Sequence, residues 1–109
     1  MRLTELDPRW LLKDGKRVGF TFLSPIGKQG NTHWRQSCFA VELPSREQWA
    51  LFEQVHGRGA CIQPCRTDFA WTIAGGIDAA DFSTLTVTPS IDGSAGGLWH
   101  GFITSGDIR

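Results

Sequence analysis

Residues 82–104 have the sequence FSTLTVTPSIDGSAGGLWHGFIT, and they carry the clearest secondary-structure pattern of this chain. Residues 85–88 alternate apolar and polar side chains, which is the period of two that a β-strand gives. Residues 99–104 are rich in aromatic and β-branched side chains, which favour a second strand. Between them, the glycines of residues 92–97 supply the backbone freedom that a chain reversal needs. We therefore predict a β-hairpin across this stretch.

Outside the hairpin, three further segments have the pattern of strands, at residues 17–23, 34–43 and 69–74. One segment has the pattern of a helix. Ser45 and Gln48 are spaced as a capping box, and Gly57 is a typical residue after a helix end. Trp49 and Phe52 lie on one helical face, through which we expect the helix to pack on the sheet. The sequence thus predicts an α+β fold, with a small antiparallel β-sheet of five or six strands and one main α-helix at about residues 46–56.

The connecting segments are assigned from their turn residues. Pro8 disfavours a helical conformation for the residue before it, so we expect a short strand at residues 2–6 and a turn or one helical turn at 8–12. Asp14 and Gly15 predict a tight turn of the Asp-Gly type. Residues 24–32 and 57–67 are expected to be loops, and the tail after residue 104 a further tight turn.

Length and composition restrict the class of protein. The chain has 109 residues, which predicts a single domain at 1–109. Its 11 basic and 11 acidic residues cancel, so no electrostatic argument favours nucleic acid. No apolar run is long enough to span a membrane, and the first residues lack the apolar core of a signal peptide. We expect a cytoplasmic protein, with its cysteines as reduced thiols.

A serine and a histidine on the two strands of the hairpin are the first candidate site. Ser90 and His100 can meet if the register places both on the same face of the sheet. A histidine that accepts the serine proton makes the hydroxyl a nucleophile, and a carboxylate can orient the imidazole. Asp81 and Asp92 are both candidates for that carboxylate, and free amides of the glycine-rich turn could stabilise an oxyanion. The simpler interpretation is that Ser90 ends a strand and His100 is a half-buried neighbour of Trp99.

A zinc site is the second possibility. Cys61 and Cys65 have one spacing that structural zinc sites use, but the other ligands would have to come from scattered residues, namely Cys38 and either His33 or His56. The alternative is three buried small hydrophobic side chains. We predict no metal and no cofactor.

A nucleic-acid surface is the third possibility. Basic and aromatic side chains could form a stacking surface from Lys28, Trp34, Arg35, Arg46 and Trp49. Aromatic residues at alternating positions are more often core residues, and the net charge is zero. We therefore predict no nucleic-acid partner.

The run at residues 85–104, LTVTPSIDGSAGGLWHGFIT, resembles the C-terminal signature of a small uncharacterised family of phage and bacterial proteins, often mis-titled "ammonia monooxygenase" in genome files. Members close with an apolar strand, Pro-Ser-Ile or Pro-Ser-Leu, a short loop, and a histidine followed by another apolar strand. The runs MRLTELDPRW, WRQSCF, QWALFE and FAWTIAGG resemble the phage branch as well, so the resemblance covers nearly the whole chain.

Related branches of this family are thought to be serine peptidases of bacterial ubiquitin-like conjugation operons. The resemblance implies Ser90 as nucleophile, His100 as base and Asp81 as the acidic residue. Those branches often carry a cysteine where this chain has Gly97, and of their early cysteine-rich segment only Cys38 is present. The implied function is a serine hydrolase or peptidase, phage- or defence-related, that acts on a ubiquitin-like protein or isopeptide bond. The alternative is a non-catalytic phage accessory protein that binds a host protein through an aromatic surface.

Overall fold

The computed structural model describes residues 1–26 and 33–109, and it contains two four-stranded sheets and one α-helix. The first sheet has the strand order β1 (Arg9–Lys13), β2 (Lys16–Leu23), β3 (Arg35–Phe39) and β4 (Ile62–Gln63). The second has the order β5 (Thr72–Ile73), β6 (Val87–Asp92), β7 (His100–Thr104) and β8 (Asp107–Ile108). The helix α1 spans Ser45–His56, and short 3₁₀-helices lie at Leu3–Leu6, Ile77–Ala79 and Ser94–Gly96. The α+β class with one main helix is confirmed, although the strands form two sheets and not one.

The first sheet is the middle layer of three. Neighbouring side chains of a strand point to opposite faces. On β3, Cys38 packs into an apolar core shared with the second sheet, whereas Phe39 packs into a core shared with α1. The helix and the second sheet therefore cover opposite faces of the first sheet, and the chain buries two cores.

The predicted hairpin is confirmed as the antiparallel pair of β6 and β7. Its regular register pairs Ile91 with Gly101 and Asp92 with His100, and the register shifts between Val87 and Ile91. Within that irregular part the Thr88–Pro89 peptide bond is cis. This hairpin is the centre of the second sheet, because β5 pairs with β6 on one side and β8 pairs with β7 on the other.

The expectation for the N-terminus is wrong. Asp14 and Gly15 do form the tight turn, with φ of 53° and 77°, and two positive values are typical of the hairpin turn that joins two strands. The residues before it are therefore β1 and not a turn. Residues 3–6 are a 3₁₀-helix and not a strand, because its three-residue turn places Leu3 and Leu6 on one buried side.

Several strand bounds also differ from the prediction. The strand expected at 34–43 ends at Phe39, and the one expected at 69–74 shortens to Thr72–Ile73. The segment expected to be a loop at 57–67 contributes β4, which pairs parallel to β3 after the crossover through α1. The tail forms its turn and then β8. Most of the loop expected at 24–32 lies outside the described residues.

The helix has the predicted end but not the predicted cap. Gly57 has φ 77° and its N–H donates to the Glu53 carbonyl at 2.9 Å. The capping box is wrong, because the helix begins at Ser45 and no side chain caps it. Gln48 is buried instead, and its Nε2 donates to the Leu43 carbonyl at 3.2 Å. In the described part of the chain, α1 and the other helices are too short or too polar to cross a membrane.

The buried face of α1 is formed by Gln48, Leu51 and Phe52, which have helical i, i+3, i+4 spacing. Phe52 is 1% exposed, whereas Trp49 is 41% exposed and only places its ring edge-on to Phe52. The expectation that the helix packs through Trp49 is therefore wrong, and the expectation for Phe52 is confirmed.

A polar network attaches the last turn of α1 to the first sheet. His56 Nε2 lies 2.7 Å from Thr21 Oγ1, and the Arg35 guanidinium donates to the same hydroxyl at 3.3 Å. Because Arg35 can only donate, the Thr21 hydroxyl accepts from it while also contacting His56, so one hydroxyl joins the end of α1 to the buried guanidinium. Arg35 itself is buried and forms an ion pair with Asp7.

The two aromatic residues of α1 give a matched test of this packing. We expect Phe52→Ala to lower the free energy of unfolding by about 3–5 kcal/mol, because it empties a packed core position. Trp49→Ala should lower it by less than about 1.5 kcal/mol, because that ring is partly in solvent. Urea unfolding of both variants measures the difference. Equal losses would contradict the described helix orientation.

The His56 network predicts a pH dependence of stability. Burial, and next the nearby charge of Arg35 and Arg9, lower the pKa of His56 below its ordinary value of 6.5, with Asp7 acting in the opposite direction. The unfolded chain then binds the proton more readily than the folded chain, so stability falls as the pH drops through 6.5. Urea unfolding at pH 7.5 and 5.5 measures this effect. The free energy of unfolding should fall more between these two pH values in the wild type than in His56→Gln. The same loss in both proteins would contradict the network.

Candidate active site

The register of the central hairpin places Ser90 and His100 on one face of the second sheet. Asp92 pairs directly with His100, and Ser90 lies two residues before Asp92, hence on the same face and diagonal to the histidine. The intervening Ile91 points into the core between the sheets. Because side chains alternate along β6, Ile91 faces the core, whereas Ser90 and Asp92 face the imidazole.

The structure brings the two predicted residues into contact. Ser90 Oγ lies 3.3 Å from His100 Nε2, and Asp92 Oδ1 lies 4.0 Å from His100 Nδ1. A serine that donates to Nε2 requires the histidine proton on Nδ1, which is the nitrogen that faces the carboxylate. The histidine and the aspartate are open to solvent, with side chains 53% exposed for His100 and 56% for Asp92.

Of the two carboxylates left open by the sequence, Asp92 is the one beside the imidazole. Asp81 Oδ1 instead accepts from the hydroxyl and the amide of Ser83, at 2.7 and 2.8 Å. Asp92 Oδ1 has an equivalent pair of bonds from Ser94, at 2.5 and 2.9 Å. These bonds lower the pKa of both carboxyls, and for Asp92 the nearby His100 lowers it further. Asp92 is therefore the ionised neighbour of the histidine at neutral pH.

The amides of the glycine-rich turn are largely used within the turn itself. Gly93 donates to the Trp99 carbonyl, Gly96 and Leu98 donate to the Gly93 carbonyl, and Gly97 donates to Ser94. The Ser94 amide is bound by Asp92. The expectation that this turn offers several free amides to an oxyanion is therefore wrong for these five.

A cleft of about 440 Å³ opens between the two sheets beside this hairpin. Ser90 and Asp92 belong both to the cleft wall and to the contacts with His100. The opposite wall comes from β3, β4 and the segment after β4, and it includes Gln63, Cys65 and Phe69. This cleft was not predictable from the sequence, because its walls are far apart in the chain.

Two glutamines of the first sheet hold the turn in place, and the sequence analysis missed both. Gln36 is buried, and its Oε1 accepts from the Trp99 amide at 2.9 Å while its Nε2 donates to the Trp99 carbonyl at 3.0 Å. Gln63 packs against Gly96 so closely that a Cβ there would lie 2.5 Å from its Oε1. The available signal for Gln36 was a polar side chain inside the predicted strand at 34–43, where burial would require a specific partner. Gln63 lay in the segment predicted to be a loop and had no such signal.

The cysteines are dispersed. Cys38 is buried between the sheets, Cys65 lies at the cleft, and all three thiols are free. Burial raises the pKa of Cys65 to about 11, so its thiol is protonated and unreactive at neutral pH. Across residues 1–26 and 33–109, no three side chains of the metal-binding types gather at one point. His56, a candidate ligand, is bound to Thr21.

The stacking surface that the sequence left as a third possibility does not assemble around Arg35, because that side chain is buried against Asp7. Lys28 lies outside the described residues. Among the aromatic side chains, Trp49 on α1 and Phe102 on β7 are the exposed ones. They lie on elements that cover opposite faces of the first sheet, so they do not form one aromatic patch.

No family model, no curated protein and no solved structure matches this chain. The resemblance to the phage and bacterial family therefore stays a prediction, and the argument for function depends on the geometry of the hairpin.

Proposed function

We propose that this protein is a serine hydrolase in which Ser90 is the nucleophile, His100 the base and Asp92 the residue that orients the imidazole. The observation that carries the proposal is the contact of Ser90 Oγ with His100 Nε2 at 3.3 Å, with an ionised carboxylate 4.0 Å from the other ring nitrogen. A hydroxyl, an imidazole and a carboxylate in this order are the groups that acyl transfer needs.

The reaction follows from these contacts. Ser90 Oγ attacks the substrate carbonyl carbon while its proton moves to His100 Nε2. The imidazolium then gives that proton to the leaving amine or alcohol, and the bond from the carbonyl carbon to the leaving group breaks. A water molecule, deprotonated by His100, then attacks the acyl carbon, and the bond from that carbon to Ser90 Oγ breaks as His100 returns the proton to Ser90 Oγ. Asp92 stays ionised and stabilises the imidazolium electrostatically at both steps.

The finer proposal is a peptidase that acts on a ubiquitin-like protein or an isopeptide bond, in a phage or a defence system. The family resemblance of residues 85–104 supports it. The exposure of the imidazole also supports it, because a half-exposed base is accessible to a tail carried by a whole protein. The alternative, a non-catalytic accessory protein with an aromatic binding surface, has less support, since Trp49 and Phe102 lie on different layers.

A serine-reactive fluorophosphonate probe tests the proposed chemistry. We expect the probe to label the wild type at Ser90, and both Ser90→Ala and His100→Ala to abolish labelling while the melting temperature changes little, because both side chains are at least partly exposed. Mass spectrometry of the labelled peptide identifies the site.

The two aspartates provide a matched control. Asp92→Asn should slow labelling by at least about tenfold, because the imidazole loses its orienting charge. Asp81→Asn should leave the labelling rate unchanged, since that carboxylate is bound to Ser83. A wild type that does not label, or labelling that persists in folded His100→Ala, would contradict the proposal.

A further inference from the structure

We infer that the cleft between the sheets binds an uncharged, apolar side chain on the acyl side of the bond that is cleaved. This inference deepens the proposed function and depends on it. It assigns a substrate class to the cleft, namely acyl groups with an aliphatic or aromatic substituent.

The position of the cleft relative to the imidazole indicates that the cleft holds the acyl part of the substrate and not the leaving group. His100 must protonate the leaving group, so the leaving group has to lie toward His100. Ser90 lines the cleft, whereas His100 is not among the described residues that line it. A carbonyl attacked by Ser90 therefore has its leaving group toward the exposed imidazole and its acyl substituent toward the cleft.

Apolar side chains form a large part of the cleft lining, beside the polar groups of Gln36, Ser37 and Gln63. Phe69 and Trp71 pack edge to face with ring centroids 4.9 Å apart, and the Trp71 indole donates to the Ser90 carbonyl at 3.2 Å. Pro64, Pro89 and Ile91 complete the apolar lining. The volume of about 440 Å³ is within the range of ligand-binding pockets, which starts at about 300 Å³.

The charged groups of the lining already have partners at the rim. Arg66 makes two bonds of 3.0 Å to Asp68, and Asp92 is bound by Ser94. Cys65 is neutral because of its raised pKa, and it behaves as a small hydrophobic wall. An anionic substituent that entered this cleft would lose hydration without gaining a free cation, whereas an apolar one would gain burial.

A set of p-nitrophenyl esters tests the assignment with one leaving group and three acyl groups. We expect kcat/KM for the hexanoate ester to exceed that for the acetate ester by at least about tenfold, after correction for spontaneous hydrolysis, because each buried methylene contributes to transition-state binding. The succinate monoester, which carries a charge, should be the poorest substrate. All three activities should be lost in Ser90→Ala.

Substitutions in the cleft wall test whether the preference for hexanoate over acetate depends on the cleft. Phe69→Ala should reduce the ratio of hexanoate to acetate activity several-fold, and Trp49→Ala, an equal aromatic truncation on the far side of the first sheet, should preserve it. If Phe69→Ala unfolds, Ala95→Trp gives a second test. Ala95 is exposed at the cleft, so a large side chain there should obstruct hexanoate more than acetate without disturbing the core.

The outcomes separate the two proposals. Ester hydrolysis that depends on Ser90 but is equal for hexanoate and acetate, or a preference that both cleft variants leave unchanged, would overturn the cleft assignment and leave the hydrolase intact. An absence of any hydrolysis that depends on Ser90 would overturn both.

Discussion

The side-chain amide of Gln36 joins the first sheet to the residue just before the second strand of the central hairpin. Its Oε1 accepts from the Trp99 amide and from the Ser24 hydroxyl, and its Nε2 donates to the Trp99 carbonyl. One buried side chain of the first sheet thereby satisfies both backbone groups of the residue that precedes β7. Both groups also have a second partner, because the Trp99 amide donates to Ser24 Oγ at 3.3 Å and the Trp99 carbonyl accepts from the Gly93 amide. Each Gln36 hydrogen bond therefore adds about 0.5–1.5 kcal/mol to this attachment.

This amide contact fixes the turn that joins the two strands of the site. Gly93 has to be a glycine, because a Cβ there would lie 2.8 Å from Gln36 Nε2. Its amide also donates to the Trp99 carbonyl that Gln36 binds, so the start and the end of the turn meet at one atom. Asp92 and His100, which directly flank Gly93 and Trp99, are therefore placed opposite each other by contacts from a different sheet.

The parts of the fold that could be predicted are those with local signals. The hairpin was predictable because alternation and a glycine-rich turn occur within residues 82–104, and so was the helix end at Gly57. The strands β4 and β8 were missed because each has two residues, and so short a segment has no periodicity of its own. β1 was missed although the Asp14–Gly15 turn implied it. Pro8 was taken to interrupt an extended segment, but proline restricts only its own backbone and the residue before it, and leaves the residues after it able to form a strand.

The candidate site also has features that could be predicted from the sequence and features that could not. The contact of Ser90 with His100 was predictable in principle, since ten residues around a tight turn can face each other. The choice between Asp81 and Asp92 was not predictable, because only the register of β6 on β7 decides which carboxylate lies beside the imidazole. Gln36, Gln63 and the cleft depend on the packing of one sheet on the other, and residues distant in sequence carry no local sign of such packing.

Native-state hydrogen exchange of the Trp99 amide, followed by NMR, tests most directly whether Gln36 anchors the hairpin. This amide should exchange only through global unfolding, with an opening free energy equal to that from urea unfolding, while the amide of Ser94 in the exposed turn opens far more easily. In Gln36→Met, which keeps the length of the side chain, the protection of Trp99 should fall below the global value while that of Phe20 in β2 stays at it. Unchanged global protection of Trp99 in Gln36→Met, or fast exchange of Trp99 in the wild type, would contradict the account.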